Sequence, residues 1–301
     1  MTKSTTPLLC LGGALALPLL TLAQPSFIGL YPVGVEGLKS GTLPPPGFYL
    51  RDYNLAYYSD RLNDSRGDKV PVDFEAFVYA NAIRPIWITD FKILGAYYGC
   101  DVLVPFLYKN VKVAGNRDDT FNLGDIFIEP VTLSWHWQRA DAGLGYGIWA
   151  PTGNVDTGSL TGGTGQGTWT HMFTAGGTVY FDAEKTWALS ALGRYEISHE
   201  SDDYNITPGD VLSLEGGLSK AFSPAFEAGV WAYYQGQMTE DEGDYGVAVS
   251  SEKDHVVGIG PEVIWFWERA KLFVSLRYAY EVLAENRPEG HRGTLTLTKR
   301  F

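Results

Sequence analysis

The chain is 301 residues long with a formal net charge of −12, a length that suits either two average domains or one closed barrel running as a single unit. Its 18 tyrosines, 15 phenylalanines, nine tryptophans and 35 glycines form a strand-and-turn vocabulary, and no interior stretch supplies the run of about 20 apolar residues that a membrane-spanning helix requires. The acidic surplus gathers in NDSRGD, NRDD, ESDDYN and TEDEGDY, which read as solvated loops, and an acidic surface repels phosphates, so nucleic acid is excluded as a partner.

The first segment, MTKSTTPLLCLGGALALPLLTLAQ, sets Lys3 ahead of an apolar run from Leu8 to Leu22, with Ala23 as a small residue before Gln24. This predicts a secretory signal peptide over 1–23. Cys10 lies too deep in it to become a lipid-modified first residue, and cleavage leaves Cys100 with no partner for a disulfide. Residues 24–47 form a Pro/Gly-rich segment with three consecutive prolines at 44–46, which cannot be a strand of a closed sheet. It is either a plug threaded into the barrel or a periplasmic leader.

From Phe48 onward the chain alternates. Runs start near Phe48, Val72, Phe91, Gly124, Ala142, Thr168, Trp187, Val211, Phe226, Val256, Leu272 and Gly293. In the run from Trp187, Leu189, Ala191, Tyr195 and Ile197 share one face while Ser190, Arg194, Glu196 and Ser198 share the other. The runs from Phe226 and Leu272 behave alike. In the fourth run the apolar parity switches across Pro130, and because proline lacks a ladder donor a β-bulge is expected near Glu129 to Val131.

The connections also alternate. DRLNDSRGDKVP, KNVKVAGNRDDTFN, PTGNVDTGSLTGGTGQG, HESDDYNITPGD, QMTEDEGDYGVAVSSEKD and AENRPEGH are long, whereas QRAD, DAEKT, FSPA and ERAK are short. Short turns on one side and long loops on the other are the habit of outer-membrane barrels. The prediction over 48–301 is therefore an all-β fold, a transmembrane antiparallel up-and-down β-barrel of about 12 strands with its apolar face in lipid. On that reading Leu276→Arg should harm assembly more than Ser275→Arg. The last run, HRGTLTLTKRF, sends Leu295, Leu297 and Phe301 outward and is expected to pair with the first strand, with Phe301 at headgroup level and Lys299 reaching water along its stem.

A search for catalytic chemistry returns little. The histidines His136, His171, His199, His255 and His291 show no metal-ligand spacing, and His171 with Ser190 is the nearest approach to a hydrolase pair without positive support from parity or height. GTGQGTW lacks the lysine and following helix of a phosphate loop, and TEDEGD lacks the ligand spacing of an EF-hand. No metal, cofactor or catalytic residue is expected, and the chain is read as not an enzyme.

By parity the lumen should hold Asp73, Glu75, Asp101, Asp125, Glu129, Arg194, Glu196, Glu215, Glu227, Glu262, Arg277 and Glu281, with the rings of Phe77, Tyr79, Trp149, Tyr180, Trp231 and Tyr233 among them. Rings interleaved with charged groups offer apolar contact beside polar handles. The candidate solute path is Trp231 and Tyr233 with Glu227 and Gln235 beside them, Arg277 and Glu281 two strands along, and Arg194, Glu196, Trp149 and Tyr180 elsewhere on the wall.

The stretches EGLKSGTLPPPGFYLRDYNLAYYSD, GIWAPTGNV, AFEAGVWAYYQGQMTEDEGD and VLAENRPEGHRGTLTLTKRF occur in the order in which they resemble outer-membrane proteins of the phenol-degradation (meta-pathway) family, from about Glu36 to Phe301. The resemblance implies a barrel in the bacterial cell outer membrane that admits hydrophobic, often aromatic, small molecules, and it brings no catalytic residues. The ending at Phe301 resembles the signal read by the barrel assembly machinery, which with outer-membrane lipid and the solute completes the expected partners. The alternatives are an outer-membrane enzyme acting on lipid and a structural envelope barrel without specific transport.

Overall fold

The computed structural model describes residues 29–243 and 253–301; the expected signal peptide and the first part of the 24–47 segment lie outside the described residues. The strands are β1 (Gly47–Ser59), β2 (Phe74–Ile93), β3 (Ala96–Val113), β4 (Asn116–Leu123), β5 (Ile126–His136), β6 (Ala140–Ala150), β7 (Thr170–Tyr180) and β8 (Trp187–Ser198). They continue with β9 (Ile206–Thr207), β10 (Val211–Ser223), β11 (Phe226–Gln237), β12 (Glu242–Gly243), β13 (His255–Trp267), β14 (Leu272–Glu285) and β15 (His291–Arg300). All but β4, β9 and β12 close into one antiparallel barrel, a 12-strand wall in which each strand pairs with its neighbours along the chain and β1 pairs with β15 from Tyr49↔Arg300 to Tyr58↔His291.

Burial follows the alternation with the usual polarity inverted. Along β14, Leu276, Tyr278, Tyr280 and Val282 are exposed while Ser275, Arg277, Ala279 and Glu281 are buried. Large apolar side chains face outward because the surroundings are hydrocarbon, and polar ones turn inward where partners wait. The short turns 94–95, 137–139, 181–186, 224–225 and 268–271 lie at one end and the remaining connections at the other. At the short-turn end the Phe301 N–H donates to the Phe48 carbonyl at 3.1 Å, the two rings pack with centroids 5.6 Å apart, and Lys299 donates to the Ala270 carbonyl.

The expected bulge is present: the β5–β6 register shifts between Ile128 and Val131. Three readings need correction. Phe91 does not open the third strand but continues β2, which turns at Leu94–Gly95, and KNVKVAGNRDDTFN is not a loop but the arm formed by the end of β3 and β4. Both hairpins have positive φ at their two central residues, 51° and 82° at Leu94–Gly95 and 50° and 84° at Ala114–Gly115, as a tight type I′ turn requires.

The third correction concerns β2. Phe77 and Tyr79 face outward, and Asp73 and Glu75 sit at the surface in ion pairs with Lys112 at 2.7 Å and Arg117 at 3.1 Å. The inner face of β2 is instead Ala76, Ala82, Arg84, Ile86 and Ile88, all buried. Its apolar character fits a lumen filled by protein, so assigning polar residues to the inside selects the wrong parity. One outward polar group, midway between Phe48 and Tyr58, satisfies itself: Asn81 donates to Asp52 at 2.6 Å, Asn54 to Asp52 at 3.2 Å, and the Tyr79 hydroxyl to Asn54 at 2.7 Å.

Leu276 is 58% exposed on the lipid face. Leu276→Arg is expected to cost about 2–4 kcal/mol near the bilayer midplane and to lower the yield of heat-modifiable folded barrel on refolding into bilayers, whereas Leu276→Ala should fold. Refolding of the arginine variant at the wild-type yield would show that this face does not meet lipid. Ser275 is not the mild site it was expected to be: it is buried, donates to Glu262 at 2.5 Å and accepts from Arg277 at 3.2 Å, so an arginine there would meet a second guanidinium.

Candidate functional site

Residues 29–46 run through the lumen, from beside Glu196 and Val211 to Pro45, whose carbonyl accepts from the Tyr49 hydroxyl at 2.8 Å near the short-turn end. An irregular segment inside a closed wall leaves its main-chain groups away from water, and each needs a partner. The wall supplies acids for the N–H groups. Tyr31 N donates to Glu196 at 3.0 Å, Glu36 N and Gly37 N to Glu215 at 3.1 and 3.2 Å, and Leu38 N to Glu262 at 2.8 Å. It supplies donors for the carbonyls: Gln235 to Tyr31 O at 3.0 Å, Arg292 to Val33 O, and Arg277 to Val35 O. Nearer the short turns, Gly41 N donates to Ser190 at 2.8 Å, Thr42 to Thr178 at 2.7 Å, and Lys39 pairs with Glu227 at 2.7 Å.

Two glycines permit the fit. Gly34 has φ +85° and lies so close to Trp231 that a Cβ would come within 2.6 Å of the indole; a Cβ on Gly41 would lie 2.4 Å from the Gly177 main-chain nitrogen and oxygen. Val33, Val35 and Leu38 are buried with Tyr53, Leu55, Phe127, Trp149, Trp231 and Tyr233 in one apolar cluster inside the wall. The lumen is therefore a packed core.

The side chain of Glu36 is the junction. It accepts from Arg51 Nη1 at 2.5 Å, Arg84 Nη1 at 3.0 Å and the Tyr53 hydroxyl at 3.0 Å, with Arg194 Nη2 at 3.6 Å. Arg84 also makes a two-pronged contact with Asp101 at 2.7 and 2.9 Å and reaches Glu129 at 2.7 Å. Arg194 lies over the Tyr31 ring at 4.0 Å and pairs with Glu215 at 3.4 Å. The guanidiniums of Arg51, Arg84 and Arg194 and the Tyr53 hydroxyl thus all face the one Glu36 carboxylate. A cavity of about 50 Å³ remains beside this junction, between the three arginines and an apolar flank that includes Leu43 and Leu192.

The sequence-derived path residues all line this lumen, spread around it. Arg194, Glu196 and Gln235 meet at Tyr31; Trp231 and Arg277 meet at Gly34 and Val35; and Glu281 accepts from Tyr233 at 3.0 Å and Tyr57 at 2.7 Å. Glu227 holds Lys39, Tyr180 donates to Asp141 at 2.6 Å, and Trp149 packs on Phe127 with ring centroids 4.8 Å apart. Asp125 stands apart, accepting from Gly153 N and Gln166 N of the loop after β6, each at 2.9 Å. The reading by parity missed Arg51, Tyr53, Arg84 and Glu36 itself; an arginine between Ala82 and Ile86 on an otherwise apolar parity is the signal that could have found Arg84. His171 and Ser190 are separated by the wall: Ser190 shares a hydrogen bond with Thr178 at 2.8 Å inside, and His171 bonds Tyr146 at 2.9 Å and His199 at 3.0 Å on the outer face.

Residues 59–297 match the family described as "Putative MetA-pathway of phenol degradation". Among solved structures, the COG4313 outer membrane channel from Pseudomonas putida F1 is similar with a TM-score of 0.77 at 17% identity, over 87% of this chain and 97% of that one. A FadL homologue of Pseudomonas aeruginosa is similar with a TM-score of 0.42 at 9% identity, over 84% and 89%, a likeness too slight to carry an argument. No curated protein matches the sequence. The first of these structures shows the fold, that of a bacterial outer-membrane barrel.

Glu36→Gln keeps the size of the side chain but removes the charge that balances Arg51, and an ion left without its partner in a site shielded from water is costly. Glu36→Gln is expected to be less stable than wild type in detergent by roughly 3–5 kcal/mol, the usual cost of breaking a buried ion pair from one side. Thermal unfolding of both forms at neutral pH measures it; equal stability would show that the carboxylate charge does not anchor the segment.

Proposed function

The protein belongs to this phenol-degradation family, which its match over residues 59–297 spans, and from that membership we propose that it is an outer-membrane channel for small hydrophobic, in particular aromatic, solutes. One observation carries the reading: the lumen is occupied by a segment held through hydrogen bonds to its main chain, a filling that can leave without breaking the wall. Residues 29–46 are the plug, and displacing them opens the path. Export by a signal peptide over 1–23 and assembly through β15 and Phe301 by the barrel assembly machinery complete the proposal, with lipid against the apolar outer face.

The path runs along the wall from which the plug withdraws. Trp231 and Tyr233, stacked with centroids 5.5 Å apart and 1% and 2% exposed, are the seat of Gly34 when the plug is in place and apolar contacts for a solute when it is out. Glu227, Gln235, Arg277 and Glu281 flank them as polar handles, and Arg194, Glu196, Trp149 and Tyr180 continue the lining. Rings beside hydrogen-bonding groups suit an aromatic solute with a polar substituent. The divergence of His171 from Ser190 supports a channel over a lipid-acting enzyme.

Trp231→Ala and Tyr233→Ala together should leave a heat-modifiable barrel, and in proteoliposomes the uptake of an aromatic solute such as benzyl alcohol should fall severalfold relative to a small sugar. Equal aromatic uptake by the folded double variant would remove these rings from the path. A gain in sugar leakage without loss of aromatic uptake would assign them to the plug seat alone.

A further inference from the structure

We propose that the Arg51–Arg84–Arg194 junction is a carboxylate-binding site now filled by the chain's own Glu36, and that the favoured solutes are monocarboxylates on a small apolar, aromatic body, which displace Glu36 and so release the plug. The proposal rests on the channel reading above and names its substrate class.

Guanidiniums from β1, β2 and β8 converge on one carboxylate that belongs to the plug rather than to the wall. Two of them have wall partners as well: Arg84 holds Asp101 and Glu129, and Arg194 holds Glu215. Arg51 does not. Among the described residues its ion pair is with Glu36, supplemented by neutral bonds to Tyr53 at 3.2 Å and Thr298 at 3.1 Å. Withdrawing the plug with nothing in exchange leaves a guanidinium without a counter-charge inside the barrel, which is costly. Withdrawing it in exchange for another carboxylate leaves the charge count as it was.

The same count selects the ligand. A neutral aromatic leaves Arg51 unpaired, and a phosphate dianion would bring extra negative charge against Asp101, Glu129 and Glu215. The geometry of an arginine fork suits a carboxylate. The body of the ligand is set by the flank of the cavity, where Leu43, Pro44, Ile86 and Leu192 stand beside the arginines.

Volume couples binding to opening. The space beside Glu36 is about 50 Å³, whereas a benzene-sized ligand occupies a cavity of roughly 150 Å³. A benzoate can therefore enter only if Glu36 and the adjoining Leu43–Pro44 stretch move aside. A ligand that binds only the displaced state shifts the population toward it.

The test is conductance of the full-length protein in planar bilayers, with folding checked by heat-modifiable mobility, using benzoate, benzyl alcohol and phenyl phosphate as probes. Benzoate should raise wild-type conductance, with benzyl alcohol and phenyl phosphate much weaker. Glu36→Ala should conduct without benzoate, and Arg51→Gln should need about tenfold more benzoate or higher, with Arg51→Lys between. Should Arg51→Gln fail to fold, the wild-type comparison of the three probes by tryptophan fluorescence titration decides alone. An equal response to benzoate and benzyl alcohol, or an unchanged benzoate response in folded Arg51→Gln, overturns the carboxylate site. No benzoate response while benzyl alcohol is still taken up by proteoliposomes also overturns it and leaves the channel reading standing; uptake of neither overturns both.

Discussion

Main-chain groups in hydrocarbon have no water to pair with, and each one left open costs several kcal/mol, so the contact on which the rest depends is the pairing of β1 with β15. Closing twelve strands creates a second demand. The interior is wider than the one that about eight strands enclose and their side chains fill, and residues 29–46 occupy the difference. Those residues bring main-chain groups of their own into a place without bulk water, which accounts for the acids and arginines facing them. Glu196, Glu215 and Glu262 accept from N–H groups, and Gln235, Arg277 and Arg292 donate to carbonyls. The charged inner wall is thus a consequence of closure.

The energetics of such a wall favour specificity over stability. A buried ion pair recovers little more than the desolvation it requires, yet removing one member leaves the other uncompensated. Arg84, held by Asp101, Glu129 and Glu36 together, illustrates the asymmetry: it fixes the relative positions of β2, β3 and β5 and ties the plug to them. A segment attached this way stays while its anchor is balanced and becomes free to leave when that balance is supplied from elsewhere. The same bonds account for the closed state and, on the proposed channel reading, are the ones that must be exchanged for the segment to leave.

Much of the fold was legible because lipid enforces a simple rule. The outward Leu276, Tyr278 and Tyr280, or Leu189 and Ile197, cannot be anything but apolar, and Pro130 cannot donate, so strands, faces and the bulge followed. Where the rule loses its grip the reading failed. β2 is apolar on its inner face because it packs against protein, so Phe77 and Tyr79 were turned inward. The β3–β4 arm rises away from the long-loop end of the barrel, where charged residues such as Arg117 and Asp118 need not alternate with apolar ones. For the site, parity put Trp231, Tyr233 and Arg194 in the lumen, but nothing in the linear order gives the register of residues 29–46 against a wall that begins at residue 47. The meetings of Gly34 with Trp231 and of Glu36 with three arginines from distant strands are products of closure and invisible before it.

Recognition of a main chain by a wall has a further consequence for what the plug itself must contain. N–H and carbonyl groups are common to almost every residue, so most plug positions are constrained by size and backbone shape, as at Gly34 and Gly41, where any Cβ would strike Trp231 or Gly177. Only Glu36 and Lys39 bring charge. Lys39 meets a single acid, Glu227, with its own side chain partly in solvent, a pairing of small net value. Glu36 meets three guanidiniums in a site shielded from water, where each contact is stronger and harder to replace. Glu36 is therefore the charged side-chain anchor of a segment otherwise held through its main chain and its apolar residues, and under the carboxylate-exchange proposal it is the contact that a solute would replace.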